Sequence, residues 1–276
     1  MPNWMHPADS PVVLITGGSA GIGAACVRKF LAEGWRASVL ALEDQNLEWL
    51  DTQGIVVTAG DITLNEVRET AVRSTLAAFG RIDVLINSAG VGLYAPPTAV
   101  RADLFSRLLE VNVIAPLALA QMVIPPMLER KSGVIVTMGS VAGYVALPWA
   151  AAYSASKAAL HSLHDALRVE LRHTPINLMK VCPGIVNTKF REHALGGKAP
   201  DRVLHIRRVV SPEAVASAIF DGVKSRRRTV YVPAVGWLFS LLGRLAPGLM
   251  DFYLSRFQPY DEVVARSTYN NEKAGD

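Results

Sequence analysis

The sequence predicts a doubly wound α/β fold, in which helices cover both faces of a parallel sheet to give three layers, α/β/α. Short apolar runs alternate with amphipathic stretches along most of the chain, a pattern typical of repeated strand–helix units. Half of the 276 residues are hydrophobic and 19% are charged, which suits strands buried on both faces. A glycine-rich turn also joins the first predicted strand to the first predicted helix.

The individual elements follow from the same pattern. Seven short apolar runs are predicted as strands, at residues 11–16, 37–42, 55–58, 84–86, 133–138, 176–181 and 229–232. Helical spacing of apolar residues predicts helices at residues 24–33, 47–52, 64–79, 102–127, 153–173 and 212–225. Gly34 is expected to end the first helix, and Pro116 to disturb the long fourth one. We expect one domain over residues 11–235 and a hydrophobic extension over residues 236–276.

Composition excludes several classes of protein. The formal net charge is +4 and the one tight basic run is residues 226–228, so nucleic-acid binding is not predicted. Cys26 and Cys182 each lie in an apolar run, which predicts buried free thiols rather than a disulfide framework or a zinc site. Such cysteines are typical of a reducing, cytoplasmic compartment. Residues 1–10 have no apolar core, so they are not predicted to be a signal peptide.

The glycine-rich turn at residues 16–23 reads TGGSAGIG, and Gly17, Gly21 and Gly23 give the spacing G-x-x-x-G-x-G. Glycines between a strand and a helix let the backbone approach a pyrophosphate, which the helix N-terminus stabilises. Taken alone, the motif also fits an ordinary strand-to-helix turn.

Further motifs extend the match to a known family. They are NSAG at residues 87–90, Asn112, Ser140, YSASK at residues 153–157 and Pro183-Gly184. In order and spacing they resemble the short-chain dehydrogenase/reductase family over residues 11–235, although Ser88 stands where that family usually has Asn. The resemblance implies a Rossmann-like fold and an oxidoreductase that moves a hydride between a nicotinamide cofactor and an alcohol or carbonyl carbon, without a metal.

Four residues are predicted to be catalytic. Tyr153 and Lys157 are four residues apart in a predicted helix and share one face, where an ammonium lowers the pKa of a tyrosine towards that of a useful general base. The resemblance implies that Ser140 positions the substrate oxygen, that Asn112 holds a water of a proton relay, and that Lys157 also binds the nicotinamide ribose. Alone, these residues also fit a surface pair, a turn serine and a polar residue at a helix kink.

The histidines were weighed as competing catalytic or metal groups. His161 and His164 share a helix face, but the chain has neither an HExxH pattern nor an obvious third ligand. We interpret both as packing or surface residues. A Ser-His-Asp hydrolase is not predicted either, because the chain has no GxSxG motif.

The resemblance also implies a set of cofactor contacts: Gly17, Ser19, Gly21, Ile22, Gly23, Glu43, Asp61, Ile62, Asn87, Ala89, Gly90, Tyr153, Lys157, Pro183, Gly184, Val186 and Thr188. Residues 40–44 hold Glu43 and no basic residue, with Leu42 roughly where phosphate-binding members have Arg, and Ala20 is uncharged. These features favour NAD, and NADP is not excluded. Asp61 is interpreted as an adenine contact or as a helix N-cap, a role for which Thr63 competes.

The substrate side is predicted to be apolar. Tyr94, Val145, Leu147 and Trp149 are expected to line a pocket, and residues 189–210 to form a mobile lid. Residues 235–254 are strongly apolar but interrupted at Arg244 and Pro247, which predicts two short helices.

Those helices are expected to meet a membrane surface, the pocket or another subunit, and they favour a lipophilic substrate such as a steroid, a retinoid or a long-chain alcohol or ketone. The resemblance also implies a homodimer or homotetramer formed through residues 102–127 and 153–173.

Three alternatives remain beside a dehydrogenase of hydrophobic secondary alcohols. One is an NADPH-dependent reductase of a lipid ketone. Another is a catalytically silent, dinucleotide-sensing binding protein, against which the four intact candidate catalytic residues argue. An epimerase or dehydratase would need further acid–base groups, which the sequence does not reveal.

Overall fold

The computed structural model describes residues 10–43, 47–51, 54–197 and 209–256. Its core is a parallel sheet of seven strands in the order β3-β2-β1-β4-β5-β6-β7. The strands are β1 Val12–Thr16, β2 Arg36–Ala41, β3 Val56–Ala59, β4 Val84–Asn87, β5 Gly133–Met138, β6 Ile176–Pro183 and β7 Thr229–Val232. The predicted doubly wound α/β class is therefore confirmed.

Helices cover both faces of this sheet. They are α1 Gly21–Ala32, α2 Glu48–Asp51, α3 Asn65–Phe79, α4 Ala102–Leu109, α5 Ala115–Glu129, α6 Ala151–Glu170, α7 Pro212–Lys224, α8 Gly236–Leu245 and α9 Pro247–Ser255. One core packs α1 and α7 against the sheet, and Phe30 and Phe220 meet edge to face there. The other core packs α3 and α5 on the opposite face, around Leu119 and Val123.

Both cysteines lie in this interior. Cys26 on α1 and Cys182 on β6 are fully buried free thiols, as predicted. Burial raises the pKa of each thiol to about 12. Because the thiolate is the reactive form, neither cysteine is suited to act as a nucleophile.

The long helical stretch predicted at residues 102–127 is present, and it is disturbed just before Pro116 as expected. A π-helical segment, Glu110–Ile114, separates α4 from α5, and the Ala115 amide donates to the Glu110 carbonyl five residues earlier. Pro116 supplies the physical reason, because it lacks the N–H that would continue the α-helical ladder to Asn112. Such π segments are often found at functional sites.

The stretch Ala102–Glu129 is also, within the described residues, the one helical stretch with the length and hydropathy to cross a membrane. Half of its most apolar window is buried inside the fold. Leu119, Val123 and Met127 are fully buried in the core. The apolar character of this stretch is therefore that of a helix packed in the protein core.

The connectivity determines where a ligand site can form. β1 is the third of the seven strands, with β2 on one side and β4 on the other, so the order in which strands are added reverses at β1. In open α/β sheets, the carboxyl ends of the strands on either side of such a switch point form a crevice. The glycine-rich turn after β1 and the turn after β4 both lie at this edge.

Candidate active site

The glycine-rich turn brings its backbone unusually close to its neighbours. Gly17 has φ 66°, and a Cβ there would lie 2.9 Å from the Ala89 Cα in the turn after β4. A Cβ at Gly23 would lie 2.1 Å from the Gly17 carbonyl oxygen. The N-cap of α1, Ala20, makes no side-chain capping bond. The first turn of α1 therefore presents backbone N–H groups at the crevice, as an anion site requires.

A threonine fastens this turn to the neighbouring one. The Thr16 hydroxyl accepts hydrogen bonds from the amides of Ser88, at 3.1 Å, and Ala89, at 3.0 Å. Asn87 is buried, and its Nδ2 donates to the Pro116 carbonyl over 3.3 Å. Thr16 is not among the predicted cofactor contacts, although its position at the end of β1 was a usable signal.

Asn112 lies in the π-helical segment and is fully buried. Its side-chain amide pairs with both backbone groups of Val91, at 2.9 Å each, and Nδ2 also donates to the Ser156 hydroxyl at 3.1 Å. Asn112 therefore ties the loop after β4 to helix α6. A Cβ at Gly90 would lie 3.2 Å from Asn112 Oδ1 and 3.8 Å from Lys157 Nζ, so all three meet in one place.

The two predicted hydroxyl groups do meet. Ser140 follows β5 at the sheet edge and caps a short 3₁₀ turn, with its Oγ accepting from the Ala142 amide at 3.1 Å. Tyr153 lies in the first turn of α6, and the Ser140 hydroxyl is near enough to its phenol to favour the phenolate. Two neighbouring hydroxyls at the carboxyl edge can hold one substrate oxygen and pass it a proton.

Lys157 lies one turn further along α6, as the spacing predicts. It is buried, its Nζ is 5.7 Å from the centre of the Tyr153 ring, and it donates to the Met138 carbonyl at 2.9 Å. Burial lowers the pKa of Lys157 to about 8. The amine is therefore still mainly cationic at neutral pH.

The pKa of Tyr153 is raised rather than lowered, because burial outweighs the effect expected of Lys157. The Tyr94 phenol raises the pKa further, and the nearby Ser140 hydroxyl opposes the shift. Desolvation disfavours the phenolate more strongly than its surroundings stabilise it. The phenol is therefore held in its neutral, proton-carrying form.

The end of β2 carries no basic side chain among the described residues. Leu42 and Glu43 are both exposed there, whereas Asp44 lies outside the described residues. Nothing at this point of the described chain offers the guanidinium that a 2′-phosphate usually receives.

Asp61, beyond β3, is part of a polar network rather than a helix cap. Its carboxylate accepts from the amide and hydroxyl of Thr63, each at 2.9 Å, and forms an ion pair with Arg107 of α4. Burial opposes ionisation, yet these hydrogen bonds lower the pKa of Asp61. The N-cap of α3 is Leu64, so the N-cap interpretation of Asp61 and Thr63 is wrong. The Ile62 side chain lies in the core.

The segment after β6 closes around the same edge. Gly184 donates to the Val232 carbonyl at 2.8 Å, and Val186 pairs with Val210. A Cβ at Gly21 would lie 3.3 Å from Thr188 Cγ2, so this segment reaches the glycine-rich turn. The remaining predicted contacts lie in these same turns: Ser19 and Ile22 beside Gly21, and Pro183 at the end of β6.

Apolar side chains surround Tyr153. Tyr94 stacks on it with ring centres 6.4 Å apart, and Phe190 meets it edge to face at 5.8 Å. Sequence reasoning missed Phe190, because the predicted lid at residues 189–210 had no periodicity to reveal it. Residues 198–208 of that lid lie outside the described residues.

The C-terminal helices cover this apolar region. Of the four predicted pocket residues, Tyr94, Val145 and Leu147 share a cluster with Tyr153, and Trp149 is buried nearby in sequence. Three of the other six members come from the C-terminal helices: Phe239 of α8 and Met250 and Leu254 of α9. One face of α8 and α9 therefore packs over the candidate site.

Both histidines of α6 lie in the interior of the fold. His161 and His164 are both buried on the sheet-facing side of α6. No group of three or more His, Cys, Asp or Glu within the described ranges is arranged to hold a metal ion. Burial, reinforced by the Lys180 ammonium, lowers the pKa of His161 to about 3 and that of His164 to about 4.

Comparison with known proteins agrees with this geometry. A family model described as short chain dehydrogenase matches residues 11–197. A mouse (Mus musculus) protein, dehydrogenase/reductase SDR family member 7B, is 31% identical over 256 residues, covering 86% of this chain and 78% of the relative. A solved short-chain dehydrogenase from Sphingobium yanoikuyae in complex with NADPH is 28% identical with a TM-score of 0.73, covering 87% of this chain and 95% of that one.

A second solved structure matches the fold alone. It is a short chain dehydrogenase/reductase from Burkholderia phymatum in complex with NAD, which is 22% identical with a TM-score of 0.77 and covers 92% of this chain and 99% of that one.

Proposed function

The chain belongs to the short-chain dehydrogenase family and is a nicotinamide-dependent oxidoreductase, and from that premise we propose that it interconverts a lipophilic secondary alcohol and its ketone. The observation that carries the proposal is the placement of the Ser140 and Tyr153 hydroxyls side by side, next to the Lys157 ammonium and among apolar side chains. Polar groups that fix one oxygen within an apolar surround are typical of a site for a hydrophobic alcohol or ketone.

The crevice fits a dinucleotide. Its glycine-rich turn leaves no room for side chains at Gly17 and Gly23, α1 begins without a side-chain cap, and the buried Asn87 Oδ1 has no protein partner within the described residues. We assign the pyrophosphate to the N-terminus of α1 and the nicotinamide ribose to Tyr153 and Lys157. The chemistry that a nicotinamide supplies when bound is hydride exchange with the substrate carbon.

The residues of the chain supply the proton and the orientation. Ser140 holds the substrate oxygen next to the Tyr153 hydroxyl. In reduction, the neutral Tyr153 phenol donates its proton to that oxygen and becomes the phenolate. In oxidation, the Tyr153 phenolate takes the alcohol proton and becomes the phenol. The Lys157 ammonium stabilises the phenolate formed by donation. Asn112 holds the loop after β4 against α6, and the water relay assigned to it stays a prediction.

We propose NAD as the preferred cofactor. Glu43 suits a ribose 2′-hydroxyl, and the exposed Leu42 offers no charge to a 2′-phosphate. The NADPH bound by the Sphingobium yanoikuyae relative keeps the NADPH-dependent ketone reductase as the alternative.

Titration of the purified protein with NADH and NADPH, followed by fluorescence, tests both proposals. We expect NADH to bind more tightly, Glu43→Ala to weaken NADH, and Leu42→Arg to shift the preference towards NADPH. Each change should be about tenfold, since it adds or removes one charge-assisted contact of about 1.5 kcal/mol. Lys29→Ala, in the last turn of α1 and away from the glycine-rich turn, is the control. Tighter NADPH binding would favour the reductase, and binding of neither cofactor would overturn the proposed function.

The exposed face of α8 and α9 supports contact with a membrane surface. Large apolar side chains on this face are well exposed: Trp237, Leu238, Leu241, Leu242, Leu245, Leu249, Phe252 and Tyr253. The charged residues of this segment are Arg244, Asp251 and Arg256, which leave a small positive excess. Amphipathic helices with this character lie in lipid interfaces. Because the opposite face covers Tyr153, a lipid surface would lie next to the site that takes a lipophilic substrate.

The basic run at residues 226–228 does not belong to this surface. It precedes β7, whereas α8 begins beyond the other end of that strand, roughly 13 Å further along at 3.3 Å per residue. Within the described part of α8, α9 and their ends, the positive charges available to acidic lipids are those of Arg244 and Arg256.

Sedimentation with phosphatidylcholine vesicles containing phosphatidylserine tests the membrane contact. We expect the protein to sediment with the vesicles and Leu245→Gln/Leu249→Gln to reduce binding at least about tenfold, since burying each leucine is worth about 1.5 kcal/mol or more. Leu64→Gln, which replaces an exposed leucine before α3, is the matched control. Equal binding of all three proteins, or none, would contradict the membrane proposal.

We also propose a homodimer or homotetramer formed through residues 102–127, which span α4 and α5, and residues 153–173 of α6 and its end. Exposed apolar residues on these helices support it, with Leu128 on α5 and Leu163 and Val169 on α6. Light scattering of the purified protein would reveal a monomer if this surface has another use.

A further inference from the structure

A buried imidazole lies directly behind the candidate substrate-binding serine. His161, on α6, is 4% exposed, and its Nε2 accepts a hydrogen bond from the Ser140 backbone amide at 3.3 Å. This contact joins the start of the turn after β5 to the middle of α6. It is separate from the Ser140 side chain, which faces Tyr153.

The backbone on both sides of Ser140 follows the imidazole closely. A Cβ built at Gly139 would lie 2.2 Å from His161 Nε2, and one at Gly143 would lie 2.5 Å from His161 Cε1. Since real side chains do not approach so closely, both positions need glycine while this ring is present. The ring therefore determines the path of the segment that carries Ser140.

The imidazole is held neutral, which lets it act as an acceptor. Burial lowers the pKa of His161, and the ammonium groups of Lys180 and Lys157 lower it further, against the carboxylate of Asp165. Acceptance at Nε2 places the proton on Nδ1. That nitrogen is buried and has no hydrogen-bond partner within the described residues. An apolar side chain at this position would not leave a buried Nδ1–H donor unpaired. What an apolar side chain cannot do is accept the hydrogen bond that His161 Nε2 accepts from the Ser140 amide.

The ring is also clamped from its other side. Tyr144 packs against it with centroids 4.5 Å apart, and Arg244 of α8 lies 4.5 Å from the centre of the Tyr144 ring. A side chain with a fixed orientation is what a positioning role requires.

We propose that His161 is a positioning residue, which fixes the Ser140 backbone so that the Ser140 hydroxyl stays on the Tyr153 phenol. The inference rests on the proposed function, since it concerns the geometry of the same pair. A substrate oxygen held between two hydroxyls is sensitive to this geometry, because a misplacement of about 1 Å can cost a hundredfold in rate.

The decisive comparison uses two replacements of similar size. His161→Gln retains an acceptor near the Nε2 position, and His161→Met removes it while filling the space. We expect Met to lower kcat about tenfold with little change in cofactor affinity, and Gln to restore most of the loss. In a Ser140→Ala background, His161→Met should have almost no further effect, because it acts through Ser140. An equal loss in both backgrounds, or full activity of the Met variant, would overturn the proposal.

A measurement without substrate separates this inference from the proposed function. Hydrogen exchange at the Ser140 amide should be slow in the wild type and in His161→Gln, and faster in His161→Met. Nitrogen-15 NMR of the wild type should show His161 as the neutral Nδ1–H tautomer at pH 6. If that pattern holds in a protein that turns over no alcohol or ketone, the proposed function fails and the contact stands. An Nε2–H tautomer would overturn the proposed contact, because that nitrogen could not accept a hydrogen bond. This measurement uses the wild type, so it remains available if both variants fail to fold.

Discussion

Replacing Tyr153 by phenylalanine is expected to lower kcat by about 10²- to 10⁴-fold, the usual contribution of a positioned acid–base group. Phenylalanine keeps the ring that packs between Tyr94 and Phe190, so the apolar surround should persist. It removes the one hydroxyl that meets Ser140 and carries the proton. The variant should lose at most one hydrogen bond to the cofactor. That loss is worth about 1 kcal/mol of binding free energy, which raises the dissociation constant roughly fivefold.

Steady-state turnover of a long-chain secondary alcohol with NAD, and of its ketone with NADH, measures this effect in both directions. Tyr253→Phe, which removes a hydroxyl from an exposed tyrosine of α9, is the control and should retain wild-type turnover. A Tyr153→Phe variant within tenfold of the wild type in both directions would show that the proton comes from elsewhere. Loss of activity together with loss of cofactor binding would point to a packing role instead.

The parts of the fold that sequence could predict are those determined by local pattern. Strands β5 and β7 begin and end at the predicted residues, because each is a continuous apolar run between polar or turn residues. Helix α1 starts at Gly21, three residues before the predicted residue 24, because the glycine motif itself forms its first turn. The break at Glu110–Ile114 was only partly visible, since Pro116 predicts a disturbance but not the π-helical form it takes.

The candidate site divides in the same way. The i,i+4 spacing of Tyr153 and Lys157 predicted a shared face correctly, since helix geometry alone determines it. It could not predict that the Lys157 ammonium bonds to the Met138 carbonyl, or that burial raises the Tyr153 pKa. Those outcomes depend on how β5 and α6 pack. The contact of His161 with Ser140 joins residues 21 apart and has no local signature for the same reason.

The glycine-rich turn offers the second large effect, because its close approach is between two backbone segments. Gly23→Ala would place a Cβ 2.1 Å from the Gly17 carbonyl oxygen, and no flexible side chain can move away to relieve the clash. Overpacking of this kind costs up to about 3 kcal/mol. Since the displaced turn is the one that faces the pyrophosphate, we expect NADH to bind about a hundredfold more weakly.

Gly80→Ala separates this local effect from a general loss of stability. Gly80 ends α3 with φ 71°, and a Cβ there would have no atom within 4 Å, so alanine should cost about 1–2 kcal/mol in unfolding free energy and leave NADH affinity unchanged. Fluorescence titration gives the affinity, and urea unfolding of the free protein gives the stability. Should Gly23→Ala fail to fold, Gly21→Ala tests the same turn through a milder clash with Thr188 Cγ2 at 3.3 Å. Wild-type affinity in the folded variants would mean that the cofactor does not use this turn, and the crevice assignment would then be wrong.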